Sequence, residues 1–337
     1  MVNVALIGAG KMGISHLAIL GAHPEVKVTG VSDTSKMVLD AFKKFTPFGC
    51  YSDYEKMLDE VEADAVFVAV PTKFHASMVK KVLERGKHVF AEKPLCLTVA
   101  EGKELVDLAA RKNLVNQVGY HNKFVGTFRE LKKIVDSGSL GEIFHFTGEA
   151  YGPVVTRPKQ GNWRADPSEG GGCLMDYASH VIDLINYTLA PVRSVKGSLL
   201  KPIYSQKVED SVSSLLQLES DVSGVLLVNW SDITYRKMST SLTIQGSKGK
   251  VICDANELKV HFHSNECPEG YTRGWNVKYV TDLTDPVNFY LRGEEYSAQI
   301  DYFISAVQQK VPNTINNFRS AWHTDKVIDL IKQSSTL

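Results

Sequence analysis

Three residues carry side chains suited to moving a proton at an alcohol oxygen: Lys93, Asp176 and His180. Asp176 and His180 stand four apart in Gly170-Gly171-Gly172-Cys173-Leu174-Met175-Asp176-Tyr177-Ala178-Ser179-His180. On a helix that spacing puts a carboxylate and an imidazole on one face. The preceding glycines let the entering backbone approach a ligand closely. A histidine titrating near neutrality takes a hydroxyl proton, and a lysine orients and polarises the oxygen. Lys93 supplies that cation from Glu92-Lys93-Pro94, just past a strand-like run. Taken singly, each has a plainer reading: a lysine after a strand is usually solvated, and an Asp/His pair on a helix is often a structural hydrogen bond. Their weight comes from standing together behind a nucleotide-binding pattern.

That pattern is Gly8-Ala9-Gly10-Lys11-Met12-Gly13, a G-x-G-x-x-G string that follows an apolar strand and opens a helix. In that context Gly8 makes a tight turn, Gly10 lets the backbone approach a pyrophosphate, and Gly13 packs helix on strand. The amides of the helix N-terminus then face negative charge. Asp33 lies 25 residues after Gly8, close to the offset of an acid that accepts the ribose hydroxyls of NAD. Its charge opposes a 2′-phosphate by about 1 kcal/mol in water and about 4 kcal/mol at an intermediate dielectric. NAD is therefore the expected cofactor, with NADP as the alternative and Thr34, Ser35 and Lys36 as its offsetting groups. Val70, Pro71 and Thr72 follow the central strand at the edge where doubly wound sheets bind ligands. His75, at the start of the next helix, either touches the cofactor or makes local hydrogen bonds.

These groups must be positioned by a parallel sheet. Strands are predicted at Val2–Ile7, Val26–Val31, Ala65–Val70, His88–Ala91 and Leu114–Val118, with helices near Gly13–Gly21, Lys36–Phe45, Tyr54–Glu60, Phe74–Arg85 and Thr98–Lys112. This alternation, with apolar residues throughout Val66–Val70, calls for a doubly wound α/β domain over residues 1–122. Beyond it, helices are expected at Thr127–Ser137 and Cys173–Leu189, a β-rich stretch over Val195–Val280, and helices at Glu295–Gln309 and Ser320–Lys332. Residues 123–337 thus read as an α+β domain with a mixed or antiparallel sheet.

Composition excludes several other classes. The 337 residues hold 38 basic and 38 acidic side chains and are 43% hydrophobic, so a long disordered chain or a basic nucleic-acid or membrane-surface binder does not fit. No apolar run nears the ~20 residues of a membrane span. Five scattered cysteines without a Cys-x-x-Cys pair, and a start that lacks a basic signal region, point to the cytoplasm. His261-Phe262-His263 with Cys267 reads as an exposed strand end, and no metal site is expected.

The glycine string, Glu92-Lys93-Pro94 and Gly172…Asp176-x-x-x-His180 together resemble the glucose–fructose oxidoreductase / inositol dehydrogenase / MocA (Gfo/Idh/MocA) family over the whole chain. The resemblance implies a Rossmann domain before a domain with a large open sheet. It implies an NAD(P)-dependent oxidoreductase of a sugar, polyol, sugar nucleotide or related alcohol, forming homodimers or homotetramers on that sheet. Carried over, Lys93 binds substrate and orients the reacting oxygen, His180 is the general acid/base, and Asp176 tunes it and contacts substrate. Glu92 and Lys93 neighbour the cofactor. Asn162-Trp163-Arg164 matches a family Trp-Arg segment at the cofactor or substrate mouth. Where the family often has arginine, this chain has Asn122 and Lys123 after Tyr120. Tyr151, Arg157 and Tyr235 are further pocket candidates. Two other readings stand beside the dehydrogenase: a glycosidase that uses NAD transiently, and a sugar or NAD sensor without chemistry.

Overall fold

A computed structural model describes residues 1–156, 163–287, 289–291 and 293–335. The chain divides into two compact units, Met1–His121 with Pro286–Trp322, and Asn122–Asp285 with His323–Leu337.

In the first unit, Val2–Ile7 (β1), Val26–Ser32 (β2), Gly49–Tyr51 (β3), Ala65–Val68 (β4), His88–Ala91 (β5) and Asn116–Val118 (β6) form a parallel sheet ordered β3-β2-β1-β4-β5-β6. Parallel neighbours require crossovers, supplied by helices Lys11–Ala22 (α1), Lys36–Phe45 (α2), Tyr54–Glu60 (α3), His75–Glu84 (α4) and Val99–Arg111 (α5). Every residue of β4 is buried, so both faces of the sheet are covered. Local chemistry sets helix starts: Asp53 caps α3, and Thr98 with Glu101 forms a capping box on α5. The helix Glu294–Gln309 returns to this unit, where Phe303 packs edge-on against Phe67 and Phe90. Two details differ from the expected strands. β4 stops at Val68, because Val70–Thr72 leave the sheet for the next helix, and β3 is a three-residue edge strand too short to show alternation.

In the second unit, Ile143–Tyr151 (β7), Val192–Lys201 (β8), Ser211–Leu218 (β9), Ser223–Asn229 (β10), Ser239–Gly246 (β11), Gly249–Asp254 (β12), Glu257–Phe262 (β13) and Gly274–Tyr279 (β14) form one sheet, ordered β14-β13-β12-β11-β7-β10-β9-β8. The sheet is mixed: β7 pairs with β10 in parallel, while its neighbour β11 and the hairpins run antiparallel. Phe146, Gly148 and Ala150 of β7 face inward. Helices Gly126–Asp136 (α6) and Ser179–Thr188 (α7) cover that face. A Cβ at Gly148 would lie 2.7 Å from Val181 Cγ1 and 2.9 Å from Ile185 Cδ1, so α7 sits directly on that glycine. The helix expected over Cys173–Leu189 is not uniform, since Leu174–Ala178 is π-helical before α7 begins. The helix Phe318–Ser334 starts in the first unit, with Phe318 and Ala321 in its core, and ends in the second, where Ser334 meets Ser198. Among the described residues no helix is long and apolar enough to cross a membrane.

Candidate active site

At the carboxyl edge of the parallel sheet, the hydrogen-bond ladder runs past the strand ends into the loops. Gly8 N–H donates to Ser32 O, Ala69 N–H to Ile7 O, Glu92 N–H to Val68 O and Gly119 N–H to Ala91 O, all at 2.8–2.9 Å. The glycine turn, Asp33, Val70–Thr72 and Lys93 are thereby placed along one edge. Gly8 has φ +90°, and a Cβ on Gly13 would sit 1.9 Å from Gly8 O. Only glycines fit that contact between the turn and α1. The two Asp33 carboxylate oxygens accept from Ala9 N–H and Ser35 N–H, each at 2.7 Å, so the acid is fixed against the turn.

Lys93 lies in the turn after β5, half-buried, with a cis Lys93–Pro94 peptide. Glu92 accepts from His16 Nε2 at 2.5 Å. Burial raises the Glu92 carboxyl, but the His16 hydrogen bond and the nearby Lys93 ammonium outweigh it and hold it below the usual range. The carboxylate thus faces α1. His75 lies near this carboxylate. It is buried, with Nδ1 2.9 Å from Pro94 O and Nε2 2.9 Å from Val70 O. A neutral ring donates to one of these carbonyls at a time, and burial pushes the imidazole below its ordinary value. The local hydrogen-bonding alternative describes it, and the ring ties the Lys93 turn to the end of β4. Tyr120, expected at substrate, is 1% exposed and lies in the core cluster with Val118, Phe318 and Ala321.

In the second unit, Asp176 and His180 are both buried, one in the π-helical turn and one in the first turn of α7. Arg164 donates from Nε to Asp176 Oδ2 at 2.9 Å, and its guanidinium lies over the Trp163 ring. The glycines before Asp176 approach the protein itself. A Cβ on Gly171 would meet Arg164 O at 2.4 Å, and one on Gly172 would meet Glu209 Oε1 at 2.3 Å. Glu209 in turn accepts from Leu174 N–H at 2.9 Å, and burial pushes its carboxyl up. Below His180 on α7, Asp183 accepts from Lys123 Nζ at 2.8 Å, with side chains 1% and 2% exposed. Burial raises the Asp183 carboxyl against the pull of that ammonium. Asn122 is buried, and its Nδ2 has no hydrogen-bonding atom among the described residues.

Tyr151 and Tyr235 stack on each other, and Tyr151 Oη donates to Glu149 at 3.0 Å. Burial and that carboxylate push the phenol up to about 12. By strand alternation Tyr151 points with Glu149, away from the Gly148–Ala150 face on which α7 lies, so these tyrosines form a cluster separate from Asp176 and His180. Arg157 and Asn162 lie outside the described residues. Among the described residues no group of three or more His, Cys, Asp or Glu side chains is placed to hold a metal ion.

Residues 2–120 match the family described as oxidoreductase family, NAD-binding Rossmann fold, and residues 128–252 match the GFO/IDH/MocA C-terminal domain. The chain belongs to the GFO/IDH/MocA family. It is 25% identical over 328 residues to a levoglucosan dehydrogenase of Pseudarthrobacter phenanthrenivorans, spanning 86% of this chain and 82% of that one. It is 26% identical over 320 residues to a scyllo-inositol 2-dehydrogenase (NAD(+)) of Bacillus subtilis, spanning 85% and 91%. A solved levoglucosan dehydrogenase in complex with NADH and levoglucosan shares the fold, with a TM-score of 0.87 at 23% identity over 99% of this chain and 96% of that one.

Like these dehydrogenases, the chain is an NAD(P)-dependent dehydrogenase with an NAD-binding Rossmann domain. Its own residues fit the cofactor. No side chain caps α1, and the Cβ direction at Gly10 faces open space, which leaves the helix amides to a phosphate group. The groups missed in the sequence reading are His16, Glu209 and the Lys123–Asp183 pairing. The first belongs to no motif considered, and the others join residues 35 and 60 positions apart.

Proposed function

We propose that this enzyme moves a hydride between NAD and a secondary alcohol of a sugar, polyol or sugar nucleotide, as the names of its dehydrogenase relatives suggest. The observation that carries the reading is the alignment of the glycine turn, Asp33 and Lys93 along one carboxyl edge of the parallel sheet. When bound, NAD supplies the hydride acceptor. His180 takes the hydroxyl proton as general base, and the Lys93 ammonium stabilises the oxygen as it becomes a carbonyl. Asp176, held by Arg164, orients the imidazole and the substrate, and the buried Asn122 amide offers a donor to a sugar hydroxyl. The Asp33 carboxylate favours NAD over NADP.

Lys93→Ala and His180→Ala should each lower turnover by orders of magnitude while NADH binding persists. Near-native rates in either variant would remove the role assigned to that residue. Net NADH accumulation with an oxidised sugar distinguishes this chemistry from glycoside cleavage with transient redox.

The same reading includes a homo-oligomer on the open face of the eight-stranded sheet. Leu215, Ile252, Trp275, Val277 and Tyr279 are exposed there, an apolar set that a second copy would cover. Sedimentation of a Trp275→Glu, Leu215→Glu variant should show smaller species than the parent chain.

A further inference from the structure

His16 is a polar side chain in an apolar place. It is fully buried on α1, with its ring 5.8 Å from that of Phe67 and 5.2 Å from that of Phe90. Its Nε2 lies 2.5 Å from Glu92 Oε1, and its Nδ1 has no hydrogen-bonding atom among the described residues. A carboxylate accepts only, so a ring proton sits on Nε2. A leucine at position 16 and an apolar residue at 92 would fill this core without the desolvation cost of a polar pair. The fold alone therefore gives no reason for this pair.

The position of the pair gives one. α1 begins at the glycine turn, and Gly13 locks it against Gly8. Glu92 immediately precedes Lys93, and its carboxylate also lies where a side chain on Gly119 would have to go, 3.2 Å from that Cβ position. On the other side of Lys93, the Pro94 carbonyl lies 2.9 Å from His75 Nδ1 and is one of the two carbonyls that this ring can donate to. The turn bearing Lys93 is thus gripped at both ends, with the His16 grip rooted in the helix whose N-terminus faces the cofactor.

We propose that His16 is a positioning residue: by holding the Glu92 carboxylate it fixes the turn from which Lys93 reaches the reacting oxygen. The inference rests on the role given to Lys93 in the proposed hydride transfer.

Single-turnover hydride transfer, followed by NADH absorbance with scyllo-inositol or levoglucosan as the probe alcohol, tests it alongside NADH affinity by fluorescence. His16→Leu should slow transfer roughly ten- to a hundredfold, the size expected when a reacting group is misplaced by about 1 Å, with NADH affinity within about twofold of the parent. His16→Gln, which keeps a donor at the reach of Nε2, should restore most of the rate. In a Lys93→Ala background His16→Leu should cost nothing further, because it acts through Lys93. Equal losses in both backgrounds, or a loss that glutamine does not restore, would overturn the proposal. If Lys93→Ala itself keeps near-native rates, the function assigned to Lys93 fails instead. A readout without substrate is the long-range proton–nitrogen spectrum of the histidine rings. The His16 ring, assigned by its absence in His16→Leu, should carry a proton on Nε2, and a ring whose Nε2 is bare would overturn the pair.

Discussion

In the first unit, main-chain amides and one carboxylate shape the surface at the carboxyl edge, and they come from the single β1–α1–β2 unit and the turn after it. Asp33 reaches back to Ala9 and forward to Ser35, and Gly13 rests on Gly8. In the second unit, the segment carrying Asp176 and His180 is held by side chains from three separate places in the chain: Arg164, twelve residues before Asp176, Glu209 on Leu174, and Lys123 on Asp183. The first arrangement is a property of strand–turn–helix geometry and survives wherever that geometry forms. The second depends on burying charges in pairs, so a single substitution strands a partner. The contrast predicts that the second unit is the more fragile in stability and the first the more fragile in cofactor affinity.

The sharpest break should come at Lys123. Lys123→Met leaves Asp183 buried without its ammonium, and losing one partner of a buried pair costs about 3–5 kcal/mol. Urea denaturation should show that loss, and adding Asp183→Leu should recover most of it, since a well-packed apolar pair at such a site is often neutral. Next in size is Gly13→Ala. Its Cβ would meet Gly8 O at 1.9 Å, and overpacking of this kind costs about 1–3 kcal/mol. Because the strain falls on the glycine turn, it should appear mainly as a roughly five- to hundredfold weaker NADH affinity in a fluorescence titration.

Arg164→Met comes third. It removes a charge-assisted hydrogen bond from a buried carboxylate while the arginine itself is about one-third exposed. Such bonds are worth about 1.5–3 kcal/mol, so turnover should fall by about tenfold or more. The melting temperature should fall less than in Lys123→Met, because this pair, unlike Lys123–Asp183, has one partner in solvent. A large drop in melting temperature with unchanged turnover would mean that Arg164 holds the fold and not Asp176.

These differences track what could be read in the residues beforehand. The glycine turn and its acid are legible because their geometry is local: a strand, a turn with φ +90° at Gly8, and a helix within a few residues. The helices of the first unit are legible for the same reason, through their caps and periodicity. β7 was not anticipated, although it lies at the centre of the second sheet between β11 and β10. Its glycine at position 148 weakens the strand pattern, and the reason for that glycine is α7, some 33 residues later, packing on it through Val181. The run Gly170–Gly172 was read as room for a ligand, but its close neighbours are the Arg164 carbonyl and the Glu209 carboxylate. Tyr120 and His75 had the chemistry of binding residues and the burial of core residues, a distinction that depends on tertiary packing.

The smallest expected effect separates the two units by sign. The Glu92 carboxyl lies below the usual range in the folded protein, so it adds stability at neutral pH that disappears as pH falls through its folded value. The Glu209 carboxyl lies above that range because burial outweighs the Leu174 hydrogen bond and the Lys332 charge. Its contribution is complete below the ordinary carboxyl value of about 4.3 and is lost as pH rises through the folded value. Glu92→Gln should therefore lower the melting temperature at neutral pH, with a deficit that shrinks on acidification. Glu209→Gln keeps an oxygen for Leu174 N–H and removes a buried charge, so it should match the parent in acid and gain on it toward neutral pH. Melting curves from pH 3 to 8 would show two difference plots diverging from each other as pH rises. Parallel plots would mean that the two carboxylates are stabilised by the same means and that the contrast between the units is wrong.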